Sequence, residues 1–305
     1  MGASNLTQVV VAGGTGLVGR PLIRSLVEQG SRVTVLTRAP QAAHLPPGAI
    51  AHDWNDLPVV LEGADVVINL AGEGIAEKRW STVRKAAIRD SRILGTRRLV
   101  EAMKDCGKPP TALVNASAIG YYNPENRTPV DESAKPGGGF LADVCRAWEA
   151  EAMAASDIGV RVVRIRIGVV LAREGGALPK MALPVRLYLG CKLGSGQQGL
   201  SWIHLDDLVA MFLEAARNPA WEGPFNGTAP EPVSNEVFTD LLARRLHRPL
   251  LPVPGAFTAA AMKVLMGEMA EALPLQGAFA IPSRAQNLGF RFRFSSATEA
   301  LEDLI

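Results

Sequence analysis

The residues with the clearest chemical potential lie in Val9-Val10-Val11-Ala12-Gly13-Gly14-Thr15-Gly16-Leu17-Val18-Gly19. Gly13, Gly14, Gly16 and Gly19 fit both the G-x-G-x-x-G and the G-x-x-G-x-x-G spacing. The glycines permit a tight turn and let backbone approach a pyrophosphate closely. With Thr15, Leu17 and Val18 they lead into a helix whose first N–H groups and partial positive charge face that phosphate. A turn that serves only helix–strand packing is the alternative, and the strand–turn–helix context favours the dinucleotide site. About twenty residues on, at the tip of Arg32-Val33-Thr34-Val35-Leu36, a site for NAD would carry an Asp or Glu for the ribose 2′-hydroxyl. Thr37 and Arg38 stand there instead. A hydroxyl and a guanidinium fork suit a 2′-phosphate. One such contact contributes about 1.5–3 kcal/mol, or about ten- to a hundredfold preference for NADP(H). Arg20 is a second candidate for the same phosphate, and a solvated surface position is the alternative for both arginines.

These groups need a scaffold, and the chain supplies one. Leu17, Val18, Leu22 and Leu26 recur at helical spacing before Gly30, a C-cap glycine. Apolar runs at Ala64–Leu70, Thr111–Asn115 and Arg161–Gly168 alternate with helical patterns over Thr82–Cys106 and Phe140–Ser156. Near-continuous β-branched runs separated by helices predict an α/β fold, a doubly wound parallel sheet with right-handed crossovers. Ligands in such sheets bind beyond the carboxyl ends of the strands. Ala71-Gly72, Ser117 and Gly168 therefore belong to the same rim as the glycine turn. The expected division is a dinucleotide-binding unit over residues 1–171, to which the chain returns at about 202–228. A smaller substrate-side lobe then comprises 172–201 and 229–305.

Composition excludes more than it selects. The 305 residues carry 32 Lys+Arg against 30 Asp+Glu, interleaved, for a net charge of +2. Nothing in that balance points to nucleic acid or an anionic membrane. Cys106, Cys145 and Cys191 form no C-x-x-C pair, which implies reduced thiols and neither a disulfide framework nor a zinc site. No secretory segment is expected before the first strand. The apolar stretch from Ala256 to Ile281 is broken by Lys263, Glu268, Glu271 and Pro274, so no membrane span is expected there. A cytoplasmic protein is the default. Met262, Met266 and Met269 fall at helical spacing and read as core.

The chain resembles an extended short-chain dehydrogenase/reductase of the NAD(P)-dependent sugar-nucleotide epimerase/dehydratase type, more narrowly the atypical epimerase family subgroup. The residues carrying the resemblance are Gly13–Gly19, Asn69-Leu70-Ala71-Gly72-Glu73, Arg79-Trp80, Ser91-Arg92, Ser117-Ala118-Ile119-Gly120-Tyr121-Tyr122, Phe140-Leu141-Ala142, Trp148-Glu149 and Trp202–Asp207, with Leu288–Phe292 near the end. The resemblance implies a Rossmann fold and an NADP(H) site. It adds Asp53 (beside the adenine), Leu70, Ala71, Gly72, Arg92, Ser117 and Arg166 to the cofactor set. It also implies that Ser117 hydrogen-bonds a substrate oxygen, with Tyr121 or Tyr122 presenting a phenol to the nicotinamide.

Members of the family use a Tyr-x-x-x-Lys pair on the helix after the fourth strand. Registered on Glu149, this helix has Leu141 and Cys145 at those positions, and neither can lower a phenol's pKa or move a proton in the usual way. Tyr188–Lys192 has the spacing, but it lies in the lobe and reads as coincidence. His204 with Asp206 and Asp207 has poor spacing for a metal and reads as a structural turn. Glu73, Lys78 and Arg79 are rim candidates for cofactor or substrate. Lys85 and Arg89 read as a solvated helix face, and Trp148 as core. Two functions remain open: an NADP(H)-dependent oxidoreductase or epimerase acting on a small hydroxyl or carbonyl compound, and a non-catalytic NADP(H)-binding regulatory or scaffold protein. The resemblance also makes a homodimer an expectation.

Overall fold

The computed structural model describes residues 6–124, 128–273, 275 and 277–305. Pro274, read above as a break in the late apolar stretch, lies outside the described residues. The first half runs β1 (Gln8–Ala12), α1 (Gly19–Glu28), β2 (Arg32–Leu36), β3 (Ala49–His52), α2 (Leu57–Leu61), β4 (Val66–Asn69), α3 (Thr82–Lys104) and β5 (Ala112–Ala118). There follow β6 (Pro129–Val130), α4 (Phe140–Met153), β7 (Arg161–Ile167), β8 (Val169–Leu171), α5 (Leu178–Arg186), β9 (Gly199–Leu200), β10 (Trp202–His204) and α6 (Leu205–Arg217). The remainder comprises β11 (Gly223–Gly227), β12 (Val233–Ser234), α7 (Asn235–Arg245), α8 (Gly255–Met266), α9 (Glu268–Ala272), β13 (Phe279–Ala280), α10 (Ser283–Asn287) and α11 (Ala297–Leu304).

Seven strands form the central sheet in the order β11-β7-β5-β4-β1-β2-β3, every pair parallel. This is the doubly wound Rossmann order. Val9, Val11, Ile68, Val114 and Val163 pack with α1 and α6 on one face, and Val10, Val67, Leu113 and Val162 pack with α2 and α3 on the other. Strands sealed on both faces read as continuous apolar runs, which is why they are visible in sequence. Strand β11, Gly-Pro-Phe-Asn-Gly, has no such run, because it is a short edge strand pinned by its pairing with β7.

After β7 the chain kinks at Gly168, where an added Cβ would stand 2.4 Å from the Ser201 carbonyl oxygen. The apolar pattern runs through this kink, yet Val169–Leu171 leaves the main sheet and pairs with β10. A separate core of Leu171, Trp202, Phe238, Leu242 and Leu301 holds α5, α7 and α11 together. The methionine expectation needs correction. Only Met269 is buried, while Met262 and Met266 are half-exposed on α8, whose Phe257, Val264 and Leu265 are all more than 70% exposed. Among the described residues, no helix is long and apolar enough to cross a membrane.

Candidate functional site

Each glycine of the first turn has its own reason. Gly13 has φ +78°, and a Cβ there would lie 2.6 Å from the Leu70 carbonyl carbon and 2.7 Å from Ala71 N. The β1 turn therefore touches the end of β4 directly. A Cβ on Gly19 would meet Gly14 Cα at 2.5 Å, so this glycine lets α1 close onto the strand. Gly16 differs: the nearest atom to its Cβ position is the Gly13 carbonyl oxygen, at 3.4 Å. Its space is free for a ligand rather than filled by packing. Behind it, Val18 stands at the N-cap of α1 and gives no side-chain cap, and the helix has no acidic residue in its first turn. The first N–H groups of a helix lack intrahelical acceptors, an arrangement that suits a phosphate. Leu17 lies against Gly175 and Gly176, which bring the 173–177 loop over the turn. Arg20 Nε donates to the Thr15 carbonyl at 3.0 Å, holding the turn from outside.

At the tip of β2, Thr37 N donates to the His52 carbonyl, which ties it to β3. The Arg38 side chain is 87% exposed, with Nη1 3.1 Å from Glu73 Oε1. Glu73 also pairs with Arg84 at 3.1 Å; Arg84 first, and Arg38 with it, holds the carboxyl below its usual pKa range. Asp53 follows β3 directly and accepts from Asn55 N and Nδ2, so it is held at the same end of the sheet.

The end of β4 is organised by buried amides. Asn69 Oδ1 accepts from Ala71 N, while Asn69 Nδ2 donates to Asn115 Oδ1 and Thr96 Oγ1. Thr96 Oγ1 also accepts from Trp148 Nε1. Trp148 is thus buried, as read from sequence, and its fixed indole lies 5.3 Å from the Arg92 guanidinium carbon. That guanidinium stands 3.0–3.3 Å from the position a Cβ on Gly72 would take.

Ser117 ends in an ion network that spacing alone did not reveal. Its hydroxyl donates to Glu149 Oε1 at 2.8 Å. Arg166 grips both oxygens of the same carboxylate at 2.8 and 3.0 Å, and Arg164 adds a contact at 3.1 Å. Arg166 Nη1 donates to Tyr122 Oη, which donates to Asn226 Oδ1 at 2.6 Å. Ser117, Tyr122 and Arg166 are each 2% exposed. The expectations that Arg166 contacts cofactor and that Tyr122 presents a phenol are therefore corrected. Both side chains are sealed inside, with their polar atoms engaged by protein partners. Burial pushes the Tyr122 phenol up to about 12. Tyr121 is the more open of the two; its ring face covers Arg166 at 3.5 Å, and its hydroxyl has no protein partner among the described residues. A signal for the network was present: Arg164 and Arg166 fall on one face of β7 between buried apolar residues, a pattern that calls for an acceptor inside.

On α4, Leu141 lies over Gly120, and Cys145 Sγ donates to the Ala118 carbonyl at 3.7 Å. Burial pushes this thiol up to about 12. Neither offers proton transfer near neutral pH. Tyr188 and Lys192 engage Arg248 and Glu236 in the lobe, away from the strand ends. His204 caps α6 by accepting from Asp206 N, and Asp207 accepts from Arg293 N and Phe294 N, so this trio fastens the C-terminal segment. No group of three or more His, Cys, Asp or Glu that could hold a metal exists among the described residues. Lys85 does not stand free in solvent but pairs with Glu268 at 2.7 Å, linking α3 to α9.

A family model described as NAD dependent epimerase/dehydratase matches residues 9–226, and a domain of unknown function matches residues 257–304. An Arabidopsis thaliana protein named epimerase family protein SDR39U1 homolog, chloroplastic, is 40% identical over 97% of this chain and 86% of its own length. An epimerase family protein of Staphylococcus aureus is 39% identical over 98% of this chain and 99% of its own. Among solved structures, the human epimerase family protein SDR39U1 with NADPH superposes with a TM-score of 0.87 at 32% identity, covering 98% of this chain and 99% of that one.

Proposed function

The chain belongs to the NAD dependent epimerase/dehydratase family, and from that premise we propose that it binds NADP(H) and acts as an oxidoreductase or epimerase on a small hydroxyl or carbonyl compound. The observation that carries the reading is the Gly16 gap before the uncapped start of α1, with Arg38 standing where an acidic residue would select NAD. Gly13, Gly14, Thr15, Gly16, Leu17, Val18 and Gly19 cradle the pyrophosphate. Thr37 and Arg38 take the 2′-phosphate, with Glu73 yielding Arg38 as it binds. Asp53 lies by the adenine, and Leu70, Ala71 and Gly72 line the middle of the dinucleotide. Bound NADP(H) supplies or accepts hydride at the nicotinamide.

The chain's own part in the reaction is orientation and proton handling. Ser117, sealed from solvent with its hydrogen committed to Glu149, orders the end of β5 from within the protein. Tyr121, with an unengaged phenol, is the proton donor or acceptor at the substrate oxygen. A non-catalytic, NADP(H)-responsive scaffold is the second reading, favoured by Leu141 and Cys145 on α4. A cytoplasmic location accords with three unpaired cysteines. Calorimetric titration with NADPH and NADH tests the first reading. NADPH preference that disappears in Arg38→Ala supports it, and no binding of either nucleotide overturns it. Turnover with a carbonyl panel, sensitive to Tyr121→Phe, separates enzyme from scaffold.

A further inference from the structure

Two helices of the lobe end in the same way. At the end of α5, the Tyr188 N–H donates to the Val185 carbonyl and the Leu189 N–H to that of Pro184. At the end of α7, His247 and Arg248 donate likewise to Arg244 and Ala243. Each turn holds one residue in the left-handed region, Tyr188 at φ +62° and His247 at φ +54°. Glycine is the usual occupant of that position. Among the described residues, Asp56 is the one other non-glycine residue in this backbone state. For a bulky ring such as Tyr188 the conformation is strained, and strain of this kind collects where a side chain is needed in one place.

Contacts bring the two turns together. The Arg248 guanidinium carbon lies 4.6 Å from the centre of the Tyr188 ring, and the Leu251 N–H donates to the Gly190 carbonyl at 2.8 Å. Leu183, Leu187, Tyr188 and Leu189 are each more than half exposed, and Leu251 is exposed beside them. The charge here is one-sided. Residues 183–194 and 244–254 include Arg186, Lys192, Arg244, Arg245 and Arg248 and no Asp or Glu. Glu236 matches Lys192, whereas Arg186, Arg244 and Arg248 make no ion pair among the described residues. Exposed apolar side chains, unpaired arginines and a tyrosine held in one orientation are the composition of a binding hot spot. Helix α5 begins beside the 173–177 loop that covers the glycine turn and carries this surface at its opposite end, apart from the dinucleotide cleft.

We propose that this surface, centred on Tyr188 and Arg248, docks a short acidic segment of a partner protein whose apolar side chains pack among Leu183, Leu187, Leu189 and Leu251. Charge complementarity selects that occupant. A second copy of the chain on a twofold axis would set these arginines against their own counterparts. An anionic bilayer would satisfy the arginines, but a bilayer rewards a long amphipathic face. The nine residues of α5 give only a short one, and a lipid surface has no use for a ring held at a strained position.

Selection of a phage-displayed library of random linear peptides on the intact wild-type protein tests this. The selected peptides are expected to be rich in Asp and Glu together with Leu or aromatic residues. Tyr188→Gly and Arg248→Glu are each expected to weaken them about tenfold or more, with far-UV circular dichroism unchanged. Glycine suits the left-handed position, so Tyr188→Gly is expected to keep the wild-type Tm. A clearly lower Tm would make the ring a packing element of the lobe and overturns the proposal. Should Arg248→Glu unfold, Arg244→Glu, on an exposed side chain, takes its place. Selected peptides that lack acidic enrichment, or that the variants bind as tightly as wild type, also overturn it. So does a wild-type protein that instead self-associates in sedimentation, or floats with phosphatidylcholine–phosphatidylglycerol vesicles, where both variants do not.

Discussion

The Ser117 hydroxyl donates to Glu149 Oε1 across 2.8 Å, in a region closed to solvent. The same carboxylate is shared by Arg164 and Arg166, so one acidic side chain both pairs with two cations and fixes the direction of a hydroxyl at the end of β5. Glu149→Gln keeps the shape but removes the charge. Breaking a buried ion pair from one side costs about 3–5 kcal/mol. Urea denaturation is expected to show a loss of that order, and a change below about 1 kcal/mol would mean that the network is solvated.

The glycine turn separates folding from binding. Gly16→Ala has room for its methyl, and stability is expected within about 0.5 kcal/mol of wild type. Its NADPH affinity is expected to fall about tenfold or more, because the methyl enters the space a phosphate needs. Gly13→Ala has both a left-handed φ and a backbone clash, and it is expected to lose about 1–3 kcal/mol or more of stability. Thermal unfolding and calorimetry on the two variants check this contrast.

The two adjacent tyrosines are expected to fail in different ways. Tyr122→Phe strips the hydroxyl from Asn226 and Arg166 in the interior, at about 1–3 kcal/mol of stability. Tyr121→Phe retains the ring over Arg166 and loses no protein hydrogen bond, so stability holds. If Tyr121 moves the proton, turnover of a responsive carbonyl substrate drops about 10²–10⁴-fold. A Tyr121→Phe enzyme as fast as wild type would remove it from the chemistry.

His204 makes stability depend on pH. Burial pushes its pKa below 6.5, against the opposing pull of Asp206, Asp303 and Asp207. The unfolded chain therefore takes up a proton below about pH 6.5 that the folded protein accepts only at lower pH. The stabilisation is complete above that value and is lost as pH falls through the folded pKa. His204→Asn retains an N-cap acceptor without the titration. Its Tm is expected to decline less than that of wild type between about pH 7.5 and 5.5, and parallel declines would place the acid sensitivity elsewhere.

The sheet was legible because its strands are sealed on both faces, so burial writes itself as runs such as Val9-Val10-Val11 and Val66-Val67-Ile68. The expected span of β2 agrees with the structure residue for residue, and α3 differs by two residues at its C-terminal end. The run after Arg161 was misleading at its end. Nothing in Val169-Val170-Leu171 distinguishes continuing a strand from pairing with β10 beyond the Gly168 kink. The methionine stripe was equally ambiguous, since helical spacing gives a face but not what covers it.

The sequence by itself determined the doubly wound architecture, the glycine turn and the absence of an acidic residue at the tip of β2, because each depends on neighbours close along the chain. Only the tertiary structure decided the partners of Ser117, Tyr122 and Arg166. A polar side chain at a strand end reads alike whether it faces a ligand or a partner from another element. Which one it meets depends on contacts such as Ser117 with Glu149 and Tyr122 with Asn226, 32 and 104 residues apart. Such pairings form only when the packed core brings distant segments together, and the balance of desolvation and counter-charge is then set by that geometry.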